Sequence, residues 1–406
     1  MMKKILLMAV MAFTFHLVQP FHETALPLMA QPLSDAATAS VLTCDPGNDF
    51  YTTFGHSAIR ITDTAQGLDL VYNYGTFDFN TPHFYWVFTR GRLDYQLSRT
   101  TFEDFIYEYS YEGREVREQP LTFEAGQVQN LFLLLETNYL PQYRHYRYDI
   151  LRDNCATRVR DVVYSAWAND TLLQRAAEPM SYRRLLAARM KGNLEWWHLG
   201  VDIVLGLNAD HRCSAPERMF LPAEMEAELA QCTTPGVWTA PFIVEPSHQL
   251  LPSQRTPLKA SFPPVIVFSL LFAVIALLSS HSLSLFHSST LPLFHSSTLP
   301  LFHSSTLPLL DRLLFIIAGL CGLFLLFMWF GTDHWCTNWN LNILWLSPLL
   351  ILIAIRLERS PRWALWLQEA MFVAAALYVL VCGLSVAIIP LILSLMLRVA
   401  LLLKRA

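Results

Sequence analysis

The sequence predicts an α+β soluble domain built on an antiparallel sheet, followed by an all-α transmembrane bundle of about five helices. Three observations carry this expectation. Charged residues make up 15% of the 406, yet from Pro264 onward the chain is mostly Leu, Ile, Val, Phe and Ala, in long charge-free runs. The stretch from about Asp45 to Glu245 has the mixed composition of a water-soluble protein. Within it, short alternating runs punctuated by glycine stand beside segments of helical period.

The elements follow in order. Lys3 and Lys4 precede a mostly apolar run from Ile5 to Val18, the n-region and h-region of a secretory signal. Leu28-Met29-Ala30 offers cleavage after residue 30, and the run also fits an uncleaved anchor. Residues 31–255 are the exported domain. The segment around Thr53 to Ile61 starts like a strand after its glycine, and alternation puts His56 on the face opposite Ser57, Ile59 and Ile61. A turn through Asp63 to Gly67 leads to a second strand, Leu68 to Tyr74, ended by Gly75. Extended pieces are expected at Arg92 to Leu97 and Glu115 to Phe123, and a core helix from Glu124 to Tyr139. Asp153 or Asn154 can cap a helix whose apolar face is Val159, Val162, Val163 and Ala166, which puts Cys155 in its first turn.

The membrane half divides into spans at 264–281, 313–331, 343–356, 364–383 and 386–403. The last forty or so residues, Ala364 to Leu403, rise by ~1.5 Å each, enough for two crossings of a ~30 Å core. Gly383 and Pro390 fall where a turn or kink belongs. Between the first two spans, residues 282–312 hold three copies of Leu-Phe-His-Ser-Ser-Thr-Leu-Pro, too few and too proline-broken for a solenoid. They read as duplicated sequence, and their histidines not as ligands. Arg356, Arg359 and Arg362 crowd one short loop and Lys404-Arg405 close the chain, so both belong in the cytoplasm. Counting back puts the soluble domain outside, in agreement with the signal. The expected location is a bacterial inner membrane, multi-pass, with a periplasmic domain and a cytoplasmic C-terminus. The outer loop 332–342 carries His334, Asn338 and Asn340, either as an interfacial belt or as the wall of a site meeting lipid head groups.

A formal net charge of −4 points to no nucleic-acid partner. None of the seven cysteines lies in a CxxC or a His/Cys cluster, so no metal and no cofactor is implied. Cys213 and Cys232 can pair in an oxidising compartment or stand as two buried thiols. The chemistry centres on Cys155. At a helix N-terminus the macrodipole and unpaired amides favour a thiolate, and a histidine borne on a sheet completes a papain-like thiol site.

The segments FGHSAIRI, VYNYGTFDFNTP and DNCATRVRD resemble the periplasmic domain of the Lnb family of bacterial lipoprotein N-acyltransferases, and NWNLNILWLSPL resembles its third span. The order of signal, soluble domain and membrane bundle is similar too. With its histidine before its cysteine, the domain also resembles the circularly permuted NlpC and lecithin:retinol acyltransferase group. This resemblance implies a permuted papain-like fold with Cys155 as nucleophile, His56 as its base and Asn73 orienting the imidazole, Asp78 or Asp153 being alternatives. Substrate-binding candidates are Asn154, Arg158, His334, Asn338 and Asn340, and Arg90, Arg92 and Arg158 either receive a phosphate or are ion-paired. The implied partners are a membrane phospholipid as acyl donor and a diacylated lipoprotein N-terminus as acceptor. Two further readings stay open: a membrane-anchored cysteine amidase or peptidase acting on peptidoglycan, and a non-catalytic envelope assembly protein.

Overall fold

The computed structural model describes residues 32–49, 52–167, 180–190, 194–232, 244–256, 261–280 and 306–405. The expected signal and almost all of the octad repeats lie outside the described residues.

Seven strands form one antiparallel sheet: β1 (Thr38–Cys44), β2 (His56–Asp63), β3 (Leu68–Thr76), β4 (Asp94–Thr101), β5 (Val116–Pro120), β6 (His145–Arg147) and β7 (His248–Leu251). Their spatial order is β6-β4-β3-β2-β1-β5-β7. The β2–β3 hairpin closes on Asp63, whose carboxylate accepts the amides of Ala65, Gln66 and Ser34. β1 gives no alternation in the sequence because every residue after Thr38 is buried. A strand covered on both faces has no polar side to show.

Helices α1 (Phe84–Thr89), α2 (Phe102–Tyr111), α3 (Ala125–Tyr139) and α4 (Cys155–Trp167) surround the sheet. Val128, Leu131 and Phe132 of α3 and Val159 and Val163 of α4 pack on Val41, Ile59, Ile61 and Tyr72. Phe105 and Tyr109 of α2 cover the other face, on Leu42, Ala58 and Val71. Alternation along β2 therefore divides its side chains between two cores. Buried Glu136 ties α3 to the sheet, accepting from Tyr72 Oη and Arg99 Nη1, both at 2.6 Å.

A helical layer joins this domain to the bundle: α5 (Tyr182–Arg189), α6 (Glu195–Val204), α7 (Ala215–Arg218) and α8 (Pro222–Leu229). Tyr182, Leu185, Leu205 and Phe220 form its core, together with Cys336 from the segment that follows Phe330. Cys213 packs here and Cys232 in the sheet core, and no disulfide joins them. At the layer's centre Arg183 reaches Asp210 at 2.7 Å, Asp202 at 3.2 Å and the Tyr378 hydroxyl at 3.1 Å.

The C-terminal helices are α9 (Pro264–Ser280), α10 (Thr306–Phe330), α11 (Leu349–Arg356), α12 (Arg362–Cys382) and α13 (Ile388–Arg405). Among the described residues three stretches are long and apolar enough to cross a membrane: Pro308–Phe330, Trp335–Arg359 and Arg362–Cys382. α13 carries Arg398, fully buried against Asp311 of α10 at 2.5 Å and Ser279 of α9 at 2.6 Å. A charge at such depth is tolerated because it is paired inside the bundle. The segment expected as a plain span over 343–356 is broken. Trp335–Thr337 and Leu341–Leu344 are 3-10 turns, and only the eight residues of α11 are α-helical, roughly 12 Å of rise. The causes are local: the Asn340 side chain takes the Asn342 amide, and Pro348, which has no amide proton to give, fixes the start of α11. Asn340 and Asn342 also donate to the carbonyls of Asp202, Ile203 and Val204 at the end of α6.

Candidate active site

His56 opens β2, opposite Cys44 in the β1 ladder. The glycine before it has φ +85°, and a β-carbon there would lie 2.6 Å from the Cys44 carbonyl oxygen. Only glycine lets the chain turn this tightly onto the strand. In the next ladder Ile59 faces Tyr72, which puts Asn73 on the same face as His56. His56 Nε2 and Asn73 Oδ1 are 3.2 Å apart. An amide oxygen only accepts, so Nε2 carries the proton and Nδ1 keeps its lone pair for a substrate proton.

Cys155 is the first residue of α4 and 8% exposed. Asn154 sets it there. Its Oδ1 accepts the Thr157 amide at 3.0 Å, Thr157 Oγ1 in turn accepts the Asn154 amide at 2.7 Å, and Nδ2 donates to the carbonyls of Ile150 and Phe220. Every polar side-chain atom of Asn154 is thus used in capping and anchoring the helix start. The amides of Ser57, Ala156 and Cys155 itself lie beside the sulfur and favour its thiolate. Ser57 directly follows His56, so the thiol lies beside the backbone at the start of β2, next to the residue that carries the imidazole. The same end of the β2–β3 hairpin holds the β3 bulge between Tyr74 and Thr76. At Gly75, φ +94°, a β-carbon would meet Cys155 Cβ at 3.5 Å and the Tyr148 ring at 3.7 Å.

Burial pushes the Cys155 thiol up, against the three amides and the Arg114 charge that favour the thiolate. Burial also depresses His56 to about 4, with Arg114 adding to the effect and Asn73 opposing it. Both groups are therefore uncharged at neutral pH. The thiolate expected from the helix N-terminus alone does not form at rest, because desolvation outweighs the dipole. Alkylation of Cys155 by iodoacetamide, followed by peptide mass, is expected to rise with pH to a midpoint above the thiol's ordinary value of 9.0. A plateau already reached at pH 6, the mark of an ion pair, would contradict this state.

The other candidates lie apart from the thiol. Arg158 is paired with Asp153 at 2.5 and 2.7 Å and lies over the Tyr146 ring. Asp78 bonds Asn80 in an exposed turn, so of the three orienting candidates Asn73 is the one bonded to His56. His334 Nε2 contacts the Thr89 carbonyl at 3.1 Å. Asn340 is buried and committed to Ile203 and Val204, and Asn338 Oδ1 is buried without a hydrogen-bond partner among the described residues. These three residues bracket the loop to the soluble domain. Arg90 donates to the Gly331 carbonyl and Arg92 to Asp333, both ion-paired or bonded within the chain. Beside them opens a cavity of about 560 Å³ lined by Arg92, Arg147, Tyr148, Asp149, Arg152 and Asp333. Among the described residues no cluster of His, Cys, Asp and Glu has metal-holding geometry.

Sequence reasoning missed Arg114, Tyr148 and the Ser57 amide. Arg114 is buried, holds the Asp45 carbonyl and Glu112 at 2.8 Å each, and projects its charge on both His56 and Cys155. Nothing in the run Gly113-Arg114-Glu115 distinguishes it from a surface arginine.

The family model described as the Lnb N-terminal periplasmic domain matches residues 30–188, and the one described as the Lnb transmembrane domain matches residues 256–405. Neither a curated protein nor a solved structure matches the chain. Matched in sequence order by both domains, on a sheet domain joined to apolar helices, the chain belongs to the Lnb family of membrane-associated envelope proteins.

Proposed function

We propose that this protein is an inner-membrane acyltransferase that moves an acyl chain from a phospholipid, through a thioester on Cys155, to the N-terminal amine of diacylated lipoproteins. The observation that carries this reading is an imidazole held by Asn73 at the start of β2, whose next residue, Ser57, turns its amide toward the helix-start thiol of Cys155. It is also consistent with a permuted papain-like arrangement, the histidine strand preceding the cysteine helix.

Starting from a neutral pair, His56 Nδ1 takes the Cys155 proton as the sulfur attacks the phospholipid ester carbonyl. The amides around the sulfur stabilise the oxyanion. The C–O bond then breaks, the imidazolium returns its proton to the leaving alkoxide, and a lysophospholipid departs. In the second half the lipoprotein amine attacks the thioester and the C–S bond breaks. The proton lost by nitrogen passes through His56 to the thiolate, restoring the resting pair. The amine has an ordinary pKa of about 7.7–8.0, so only about a tenth to a sixth of it is unprotonated and nucleophilic at pH 7. Burial of the thiol keeps water from the thioester.

A five-span bundle with a cytoplasmic C-terminus is part of the proposal, its spans being α9, α10, the broken stretch Trp335–Arg359 that contains α11, α12 and α13. Its support is that Arg405 lies 3.8 Å from Glu358, gathering the closing basic residues and the arginine loop at the end of the bundle away from the sheet.

The deciding experiment is intact-mass analysis of the full-length protein in detergent with phospholipid. A hydroxylamine-labile acyl adduct that is lost in Cys155→Ala is the expected result. No adduct across phospholipids of different head groups would overturn the reading, and peptidoglycan fragments would become the substrates to test.

A further inference from the structure

We infer that α1 lies within the lipid leaflet next to the sheet domain, and that an acyl chain reaches Cys155 from it along a file of aromatic rings. The destination of that chain rests on the acyl-transfer reading; the placement of α1 does not.

The sequence of α1, Phe-Tyr-Trp-Val-Phe-Thr, has no charge and no buried residue. Tyr85 is 63% and Trp86 56% exposed, and Phe79 just before the helix is 58% exposed. So much contiguous apolar surface is unfavourable in water, whereas Trp and Tyr rings suit the membrane interface. The contrast with α2 is informative. That helix also exposes tyrosines, Tyr107 and Tyr111, but intersperses them with Glu103, Asp104 and Glu108, as a water-facing helix would.

Its position names what covers α1. Trp86 stacks on Phe327 in the last turn of α10, with ring centroids 5.9 Å apart. Arg90, the residue after the helix, donates to the Gly331 carbonyl at 3.0 Å and accepts from the Asp333 amide at 2.9 Å. The helix is thereby pinned beside the end of an apolar span whose own Phe324 and Phe330 are exposed. Its aromatic surface is continuous with the lipid-facing surface of α10, and lipid is the partner that fits both.

From α1 the rings lead inward. Phe84 stacks on Phe77 at 5.8 Å, Phe77 meets Tyr95 at 5.1 Å, and Tyr95 stacks on Tyr148 at 4.4 Å. Tyr148 and Cys155 flank the same point over Gly75. An acyl chain laid along this file keeps apolar contact from leaflet to thiol. Its phosphate end remains at the open cavity, where Arg92, Arg147 and Arg152 stand, each paired with an aspartate (Asp333, Asp94 and Asp149) that the phosphate would displace.

The test uses the full chain in phospholipid nanodiscs, with the exposed Cys321 changed to Ala. A nitroxide is attached at Tyr85→Cys or Tyr107→Cys, and its accessibility to oxygen and to a nickel chelate is read by electron paramagnetic resonance. The Tyr85 label is expected to favour oxygen and be shielded from nickel, with the reverse at Tyr107. A nickel-accessible Tyr85 label would overturn the placement. In a second arm, Cys155→Ala protein is irradiated with a phospholipid bearing a diazirine on its acyl chain. Cross-links to Phe77, Phe84, Tyr95 or Tyr148 support the route, and cross-links confined to α10 and α12 would overturn it. Neither readout needs turnover, so failure to form a thioester would count against the acyl-transfer reading alone.

Discussion

Replacing Cys155 by Ala is expected to lower kcat/KM for lipoprotein N-acylation by at least about 10³-fold, because it removes the nucleophile that carries the chain. The protein should stay folded, since Asn154 and Thr157 hold the helix start without help from the sulfur. His56→Ala removes the base and is expected to cost about 10²–10⁴-fold. Asn73→Ala should cost less, roughly tenfold, the scale of one orienting hydrogen bond. Steady-state assays on purified variants with a diacylated lipopeptide measure the series. The graded order matters more than any single loss. Equal effects of Asn73→Ala and Cys155→Ala, or an active Cys155→Ala, would overturn the roles assigned to these side chains.

Arg183→Ala is expected to destabilise the protein by about 3–5 kcal/mol, the cost of leaving buried carboxylates without their cation. Arg183 and Asp202 are each 1% exposed, and the guanidinium also holds the carbonyls of Leu205 and Gly206. Asp202 accepts the Ser385 amide at 2.7 Å as well, so the network joins the helical layer to the end of α12. An apparent melting temperature lower by roughly 10 °C in detergent would agree with this. Arg183→Lys should rescue little, since one ammonium cannot span acceptors arranged for a fork. Tyr378→Phe removes a single hydroxyl and should cost about 1 kcal/mol.

The hairpin that carries His56 and Asn73 was legible because alternation and a short turn between them set both face and register. The start of α4 was legible from its cap. β1 was hidden by burial on both faces, and α1 by the opposite circumstance, apolar residues that face outward. The outer-loop asparagines carry polarity that reads equally as ligand or as fastening. Only tertiary structure shows that Asn340 spends its amide on Ile203 and Val204. The charge state of the thiol escapes the sequence for a related reason. A helix start is local and visible in sequence, whereas the desolvation that dominates at Cys155 comes from residues distant along the chain.

The fastening of that loop bears on how the protein is made. Leu205 and Phe220 share their core with Cys336, and the Gly206 amide bonds the Cys336 carbonyl at 2.8 Å. The helical layer therefore completes its interior with residues synthesised well over a hundred positions later, after α9 and α10. A ribosome that has finished only the exported part has made a domain with an open seam, and translocation must continue into the bundle before that seam can close.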